Sequence, residues 1–291
     1  MPVRKRIFGT MIPNVPDAAT DTSPDSGRRA ATASPSLLEA AIERGGLHPF
    51  FHAKVSLADR RIVGAEALAR IATPSAGLAS PAAYVELAER SQRIDALTFV
   101  MARQVAKHVT EFGGLPCSIN ISPLSLERPE FADQMAAAIS ESGLACSQFT
   151  LEVTESRVVE YGAKAFETMT ALRVHGFGLA IDDFGVGASN IDRLRNYPFT
   201  EVKIDPAFTR LAMDEAYAKA ALVSCVRLAR EHGLRVVAEG VETQEMWDFM
   251  AWLKVDEVQG FLLSRPLEAD QVAPFIQRFL SQDYRAFLSA A

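Results

Sequence analysis

Asp182 and Asp183 stand side by side at the end of the apolar run Gly178-Leu-Ala-Ile-Asp-Asp-Phe-Gly185, and a glycine-bearing loop follows them. The run reads as a buried strand, which brings the carboxylates out where the strand meets solvent. Other strand-like segments end alike. Glu66 lies in Ile62-Val-Gly-Ala-Glu-Ala-Leu68, Asn120 in Cys117-Ser-Ile-Asn-Ile-Ser122 and Glu152 in Phe149-Thr-Leu-Glu-Val-Thr-Glu155. Lys203 and Asp205 lie in Glu201-Val-Lys-Ile-Asp205, and Glu239 in Val236-Val-Ala-Glu-Gly-Val-Glu242. Converging carboxylates, one amide and one lysine suit a hard divalent cation and an anionic substrate. A set rich in oxygen and free of sulfur favours Mg²⁺ or Mn²⁺ over zinc. Two such ions about 3.5–4 Å apart are a usual device for phosphodiester hydrolysis. Adjacent Asp182 and Asp183 serve both ions if the strand end is distorted. Lys203 would orient or deprotonate the water, or stabilise phosphate charge.

The elements that must position these groups alternate along the chain. Short apolar runs at 48–57, 61–71, 117–122, 149–155, 178–184, 201–205, 235–242 and 257–264 are separated by longer helical patterns at 94–112, 130–142, 159–175, 214–232, 243–254 and 268–280. Eight strand candidates with helices between them fit one TIM-like (β/α)8 barrel, whose strand ends converge on one face. The first two runs are joined only by Ala58-Asp-Arg60, too short for a crossover helix, so one strand should be antiparallel. An open doubly wound sheet is the alternative fold. It is weakened because neither G-x-G-x-x-G nor a P-loop follows any strand. Ser36-Leu-Leu-Glu39 has capping-box spacing, and Ser80-Pro81 reads as an N-cap followed by proline at the first helical position.

Composition narrows the classes further. The chain has 291 residues, a net charge of −6 and three cysteines. That charge argues against a DNA-binding protein. No apolar run reaches the roughly 18–20 residues of a membrane span. Cysteines without metal-ligand spacing read as buried thiols of a reducing, cytoplasmic compartment. Residues 1–35 read as a disordered N-terminal tail, with 36–285 as the folded domain. The basic start, Met1-Pro-Val-Arg-Lys-Arg-Ile-Phe8, is no secretory signal, since no apolar stretch follows it.

Together the motifs resemble the EAL family of cyclic di-GMP phosphodiesterases, from Leu47 to Phe279. The naming motif reads Glu66-Ala-Leu-Ala-Arg70, followed in order by Asn120-Ile-Ser122, Leu151-Glu-Val-Thr-Glu-Ser156 and Asp182-Asp-Phe-Gly185. Then come Lys203-Ile-Asp205, Ala238-Glu-Gly-Val-Glu242, Gln259-Gly-Phe261 and Ser264-Arg-Pro266. The resemblance implies Mg²⁺- or Mn²⁺-dependent hydrolysis of cyclic di-GMP to linear pGpG, in an EAL-type barrel that forms a homodimer. It assigns Glu66, Asn120, Glu152, Asp182, Asp183 and Glu239 to metal, with Lys203, Glu239 and Glu66 in catalysis. Arg70, His52, Gln259, Asp205 and Arg265 fall to substrate binding, and Glu155 to anchoring the loop after Asp183.

Three departures stand out. The loop Asp183-Phe-Gly-Val-Gly-Ala-Ser-Asn190 has Val186 and Ala188 where the family carries a hydroxyl and an aromatic ring. The family's Tyr-Gln-Pro-Ile stretch reads Phe51-His-Ala-Lys54, and the arginine after Lys-Ile-Asp is Pro206. The altered loop implies lowered activity, weaker metal affinity or activation by a regulatory protein partner, and His52 and Pro206 bear more on substrate affinity than on the chemistry. The alternative function is a cyclic di-GMP receptor or signalling scaffold with little hydrolysis.

Overall fold

Alternation along each strand sets the architecture. In Glu201–Ile204 the charged Glu201 and Lys203 share one face, while Val202 and Ile204 share the other. Phe149–Thr154 repeats the pattern, with Glu152 opposite the apolar pair Leu151 and Val153. Turning the apolar faces outward to a shell of helices leaves the charged faces inside a closed barrel.

The structure is a computed structural model that describes residues 6–7, 10–11, 34–73, 77–79, 84–154, 162–185 and 196–281. Arg6–Ile7 (β1) pairs antiparallel with Thr10–Met11 (β2), and the rest of the expected tail up to residue 33 lies outside the described residues. The barrel begins with Leu47–Ser56 (β3) and Arg61–Thr73 (β4), with the short Gly77–Ala79 (β5) added to the outer end of β4. It continues through Cys117–Asn120 (β6), Phe149–Thr154 (β7), Gly178–Phe184 (β8), Glu201–Ile204 (β9), Arg235–Ala238 (β10) and Glu257–Val258 (β11). Pairing of β3 with both β11 and β4 closes a ring of eight strands among the described residues. Within the ring, strand β3 is antiparallel to both neighbours and the other pairings are parallel, as the short first connection requires. Ser56 Oγ stabilises that connection, donating to Asp59 Oδ2 and accepting from its backbone N–H, both at 3.1 Å.

Helices Pro35–Glu43 (α1), Val85–Arg90 (α2), Ile94–Glu111 (α3), Phe131–Ser140 (α4), Ala163–His175 (α5), Pro206–Asp214 (α6), Ala216–Glu231 (α7), Gln244–Trp252 (α8) and Ala269–Ser281 (α9) cover the barrel. The outward faces are strictly apolar. Phe51 on β3, for example, meets Phe112 edge-on at 4.9 Å behind α3.

Three expectations change. Ser34, not Ser36, caps α1: its Oγ accepts from the Leu37 N–H at 3.2 Å, because Pro35 with its fixed φ takes the first helical position. Glu66 lies within β4 rather than at its end, since β4 leaves β6 at Ala67 but runs on to Thr73 against β3 and β5. Helix α6 is additional, started by Asp205 as N-cap and Pro206 at the first position. The expected Ser80-Pro81 helix start lies outside the described residues.

Candidate functional site

Lys203 is the centre of the site. Its side chain is 1% exposed, and its Nζ lies 2.6 Å from Glu152 Oε2, 2.8 Å from Glu239 Oε1, 2.9 Å from Asp182 Oδ1 and 3.4 Å from Glu66 Oε2. Those carboxylates come from β7, the end of β10, β8 and β4, so the contacts span the barrel interior. Asn120, paired with Glu152 across β6 and β7, donates Nδ2–H to Glu66 Oε1 at 2.9 Å, leaving its Oδ1 as the atom available to a cation. Thus Glu66, Asn120, Glu152, Asp182 and Glu239, drawn from distant parts of the sequence, do converge.

The strand end is distorted in the required place. Pairing of β8 with β9 breaks between Ile181 and Phe184, and Asp183 has φ of +58°. That left-handed conformation is uncommon for a residue with a side chain, though Asp tolerates it better than most. The break removes the strict alternation that would send Asp183 to the opposite face from Asp182. Asp183 is exposed at the mouth, and its charge helps to raise the pKa of Asp182.

Electrostatics shows a shortage of positive charge. Burial opposes the Lys203 ammonium, but Asp182, Glu152, Glu239 and Glu66 hold its pKa well above the ordinary value. Burial likewise opposes the charged form of Glu66, yet Lys203, Lys54 and hydrogen bonds from Gln259 and Asn120 keep it down at about 2. The others do not escape. Burial, aided by neighbouring carboxylates, pushes Asp182 up to about 7, and it raises Glu239 well above its usual range despite Lys203. Lys203 is shared by all four carboxylates, and Lys54 reaches Glu152 and Glu66 but adds nothing at Asp182 or Glu239, so those two take up protons instead.

The residues fit a hard divalent ion by this charge deficit and by their donor chemistry. Asp182 Oδ1 touches Lys203 outside hydrogen-bond geometry, and it and Gln259 Oε1 are buried oxygens without a hydrogen-bond donor among the described residues. The Lys203 ammonium sits at the focus of the carboxylates. Accordingly, among the described residues no three His, Cys, Asp or Glu side chains form a ready metal cage. A cation must share these oxygens with Lys203.

His52 and Gln259 form one unit on the opposite wall. Gln259 Nε2 donates to Glu66 Oε2 at 2.7 Å and to His52 Nδ1 at 2.9 Å, while His52 Nε2 lies 3.0 Å from the Ser264 carbonyl. With Nδ1 accepting, Nε2 carries the proton and donates to Ser264. Burial lowers the His52 pKa and keeps this neutral form. His52 therefore acts on Glu66 through Gln259.

Of the other expected substrate residues, Arg70 lies half-buried beside Phe50, with its Cζ 5.9 Å from the ring centroid. Arg265 is exposed and covers Phe261 at 4.7 Å, with Phe261 in turn 6.0 Å from the His52 ring. Asp205 is placed differently from expectation. It is buried, and its Oδ1 accepts from the Ala207 and Phe208 N–H groups at 2.6 and 3.3 Å as the cap of α6. Glu155 and the altered residues Val186 and Ala188 lie outside the described residues.

Two glycines let the motif segments approach. Gly240, after Glu239, has φ of +66°, and a Cβ there would stand 2.5 Å from Pro206 Cβ. A Cβ on Gly260, after Gln259, would strike the Val241 backbone.

Sequence reasoning did not single out Lys54 and Glu201. Lys54 Nζ lies 2.8 Å from Glu152 Oε1 and 3.4 Å from Glu201 Oε1, all three groups being buried. The signal was alternation: His52 and Lys54 share a face of β3, as Glu201 and Lys203 share a face of β9.

The EAL domain family matches residues 36–266. The chain is 31% identical over 255 residues to the cyclic di-GMP phosphodiesterase PA2567 of Pseudomonas aeruginosa, covering 86% of this chain and 43% of that protein. It resembles the solved PaMucR phosphodiesterase in complex with c-di-GMP at 31% identity and a TM-score of 0.75, covering 81% of this chain and 98% of the other. It also resembles Klebsiella pneumoniae BlrP1, solved as a manganese and cyclic di-GMP complex, at 30% identity and a TM-score of 0.69, covering 77% of this chain and 57% of the other. The chain spans 31% to 59% of the length of the first curated relatives it matches.

Proposed function

We propose that this chain, which belongs to the EAL domain family, hydrolyses one phosphodiester bond of cyclic di-GMP to give linear pGpG. The observation that carries the reading is the convergence of Glu66, Asn120, Glu152, Asp182 and Glu239 around Lys203, with more carboxylate charge than the protein itself neutralises. The similar phosphodiesterases and the manganese complex support it.

Glu66, Asn120, Glu152, Asp182, Asp183 and Glu239 would hold Mg²⁺ or Mn²⁺, with two ions per site as the fuller form. A divalent ion so bound supplies Lewis-acid charge at the phosphodiester and a more acidic water. Lys203 is a permanent cation here, because its pKa is raised. It therefore holds the carboxylates apart and opposes developing phosphate charge rather than removing a proton. Glu239, half-buried at the mouth, would lose its proton once a cation offsets the neighbouring carboxylates, and in that ionised form it is suited to taking the proton of the attacking water. His52 and Gln259 keep Glu66 in place, and Arg70 and Arg265 supply cations for the phosphates.

The domain is read as residues 36–285, acting as a homodimer with a regulatory protein partner and Glu155 anchoring the loop after Asp183. Three free cysteines support a cytoplasmic setting. Among the described residues no helix is long and apolar enough to cross a membrane. The deciding experiment is turnover of cyclic di-GMP by the purified chain with Mg²⁺ and with Mn²⁺, resolving pGpG by chromatography beside Glu66→Ala. Metal-dependent product absent from Glu66→Ala is expected. Ligand binding without product would transfer the chain to the receptor class.

A further inference from the structure

We propose that Lys54 is a positioning residue: it fixes the carboxylate of Glu152 for metal binding, and is itself held by Glu201 from the other end of the barrel. The inference rests on the phosphodiesterase reading, because it takes Glu152 as a metal ligand.

Glu152 is fully buried and gripped from two sides, Oε2 by Lys203 at 2.6 Å and Oε1 by Lys54 at 2.8 Å. Lys203 divides its three donors among four carboxylates, so its contact alone leaves Glu152 free to rotate about its last torsion. The second contact removes that freedom. Lys54 crosses the barrel interior from β3 to reach both β7 and β9, and Glu201 Oε1 at 3.4 Å keeps it there. The fixed orientation of a ligand carboxylate depends on such partners, whose loss commonly costs about 10–100-fold in metal affinity.

Below Lys54 a cavity of about 780 Å³ opens at the mouth opposite the carboxylates, lined among others by Cys117, Ser118, Glu201, Arg235 and Glu257. Lys54 lines it as well, so its ammonium can be replaced from solvent in a truncated variant. Ser118 Oγ, also lining the cavity, is buried without a hydrogen-bond partner among the described residues and can receive such a guest.

The sign of the effect separates positioning from bare charge. A buried ammonium repels a bound metal ion, so if Lys54 acted by charge alone its removal would tighten metal binding. Positioning requires the opposite. Mn²⁺ binding is measured by electron paramagnetic resonance and calorimetry on the full chain, on Lys54→Ala and on the charge-balanced Lys54→Met/Glu201→Gln, each checked for folding by thermal melting. Both variants are expected to bind Mn²⁺ about 10-fold or more weakly. The Mn²⁺ concentration for half-maximal pGpG formation should rise in step, while KM for cyclic di-GMP at saturating Mn²⁺ stays near the wild-type value. Methylammonium or ethylammonium should restore Mn²⁺ binding to Lys54→Ala, whereas tetramethylammonium at equal concentration should not. Unchanged or tighter Mn²⁺ binding in either folded variant overturns the inference, as does equal relief by all three amines. If Lys54→Ala does not fold, the balanced double variant decides alone. Failure of the wild-type chain to bind Mn²⁺ would remove the metal reading itself and this inference with it.

Discussion

The two ends of the barrel interior are built from the same alternating strands but balance charge differently. At the upper end Glu66, Glu152, Asp182 and Glu239 surround one ammonium, that of Lys203. At the lower end Glu201 lies between Lys54 at 3.4 Å and Arg235 at 2.9 Å, and Arg235 reaches Glu257 at 3.6 Å. Burial works against both sets of carboxylates. Below, Lys54 and Arg235 nevertheless hold the Glu201 pKa under its usual range, and only Glu257 is raised, by burial and by Glu201, whereas above, Asp182 is driven up to about 7 and Glu239 well above its usual range. A buried charge is tolerated when it is paired, and an unpaired one costs several kcal/mol or takes up a proton. The lower end thus reads as support, and the surplus above as a place completed by a cation from outside the chain.

Removing Lys203 breaks this comparison hardest. In Lys203→Met the upper carboxylates lose their common partner, and pGpG formation should fall at least about 10²–10³-fold. Stability should drop by about 3–5 kcal/mol at neutral pH. The loss should shrink in acid, where Asp182 and Glu239 are protonated, as urea denaturation at pH 5 and pH 7.5 would show. Turnover within tenfold of wild type would mean that Lys203 is only packing.

The upper surplus also predicts proton release. The Asp182 pKa is raised from its ordinary 3.8 to about 7. Its contribution to the metal-free protein is therefore full below 3.8 and is lost as pH rises through about 7. Mn²⁺ binding at pH 6 should eject about one proton or more, read by calorimetry in buffers of different ionisation enthalpy. Metal affinity should rise with pH across the same window. Binding with no proton release would show that the surplus is not where the ion sits.

At the lower end a change should be mild. Arg235 is nearly half exposed, so water screens its pair with Glu201. Arg235→Gln should cost no more than about 1 kcal/mol in urea denaturation and leave pGpG formation within about twofold of wild type. A large drop in turnover would erase the distinction between the two ends.

Much of this was legible from residue order. The antiparallel first strand follows from a connection too short for a helix, and the converging acids follow from their places near strand ends. Three features were not. Asp205-Pro206 carries a cap and a first-turn proline, which is a helix start, yet next to Lys203 it resembles a substrate contact with a lost cation. Glu66 looks terminal because nothing local shows that β4 bends past β6 to pair with β3 and β5. Lys54 sits in an apolar run where its charge finds partners 98 and 147 residues away, Glu152 and Glu201. Alternation gives the face a side chain occupies, but which strands face each other is settled only when the barrel closes.

The smallest expected effect concerns His52, where the resembling family carries glutamine. Burial holds the His52 pKa below its ordinary 6.5. Its contribution to stability is thus present above 6.5 and is lost as pH falls through the lower folded value. Protonation would turn Nδ1 into a donor facing Gln259 Nε2, forcing apart the pair that orients Glu66. Glutamine offers Gln259 a carbonyl acceptor and has nothing to titrate. His52→Gln should therefore match wild type within about 0.5 kcal/mol at pH 7.5 and become the more stable form toward pH 5. A series of denaturation curves between those values tests it, because every other titrating group is common to both proteins and cancels in the difference. An identical acid slope in both would mean that the His52 pKa does not shift on folding, and a wild type that gains stability over His52→Gln toward pH 5 would mean that His52 is charged and that Gln259 faces it with its oxygen instead of its nitrogen.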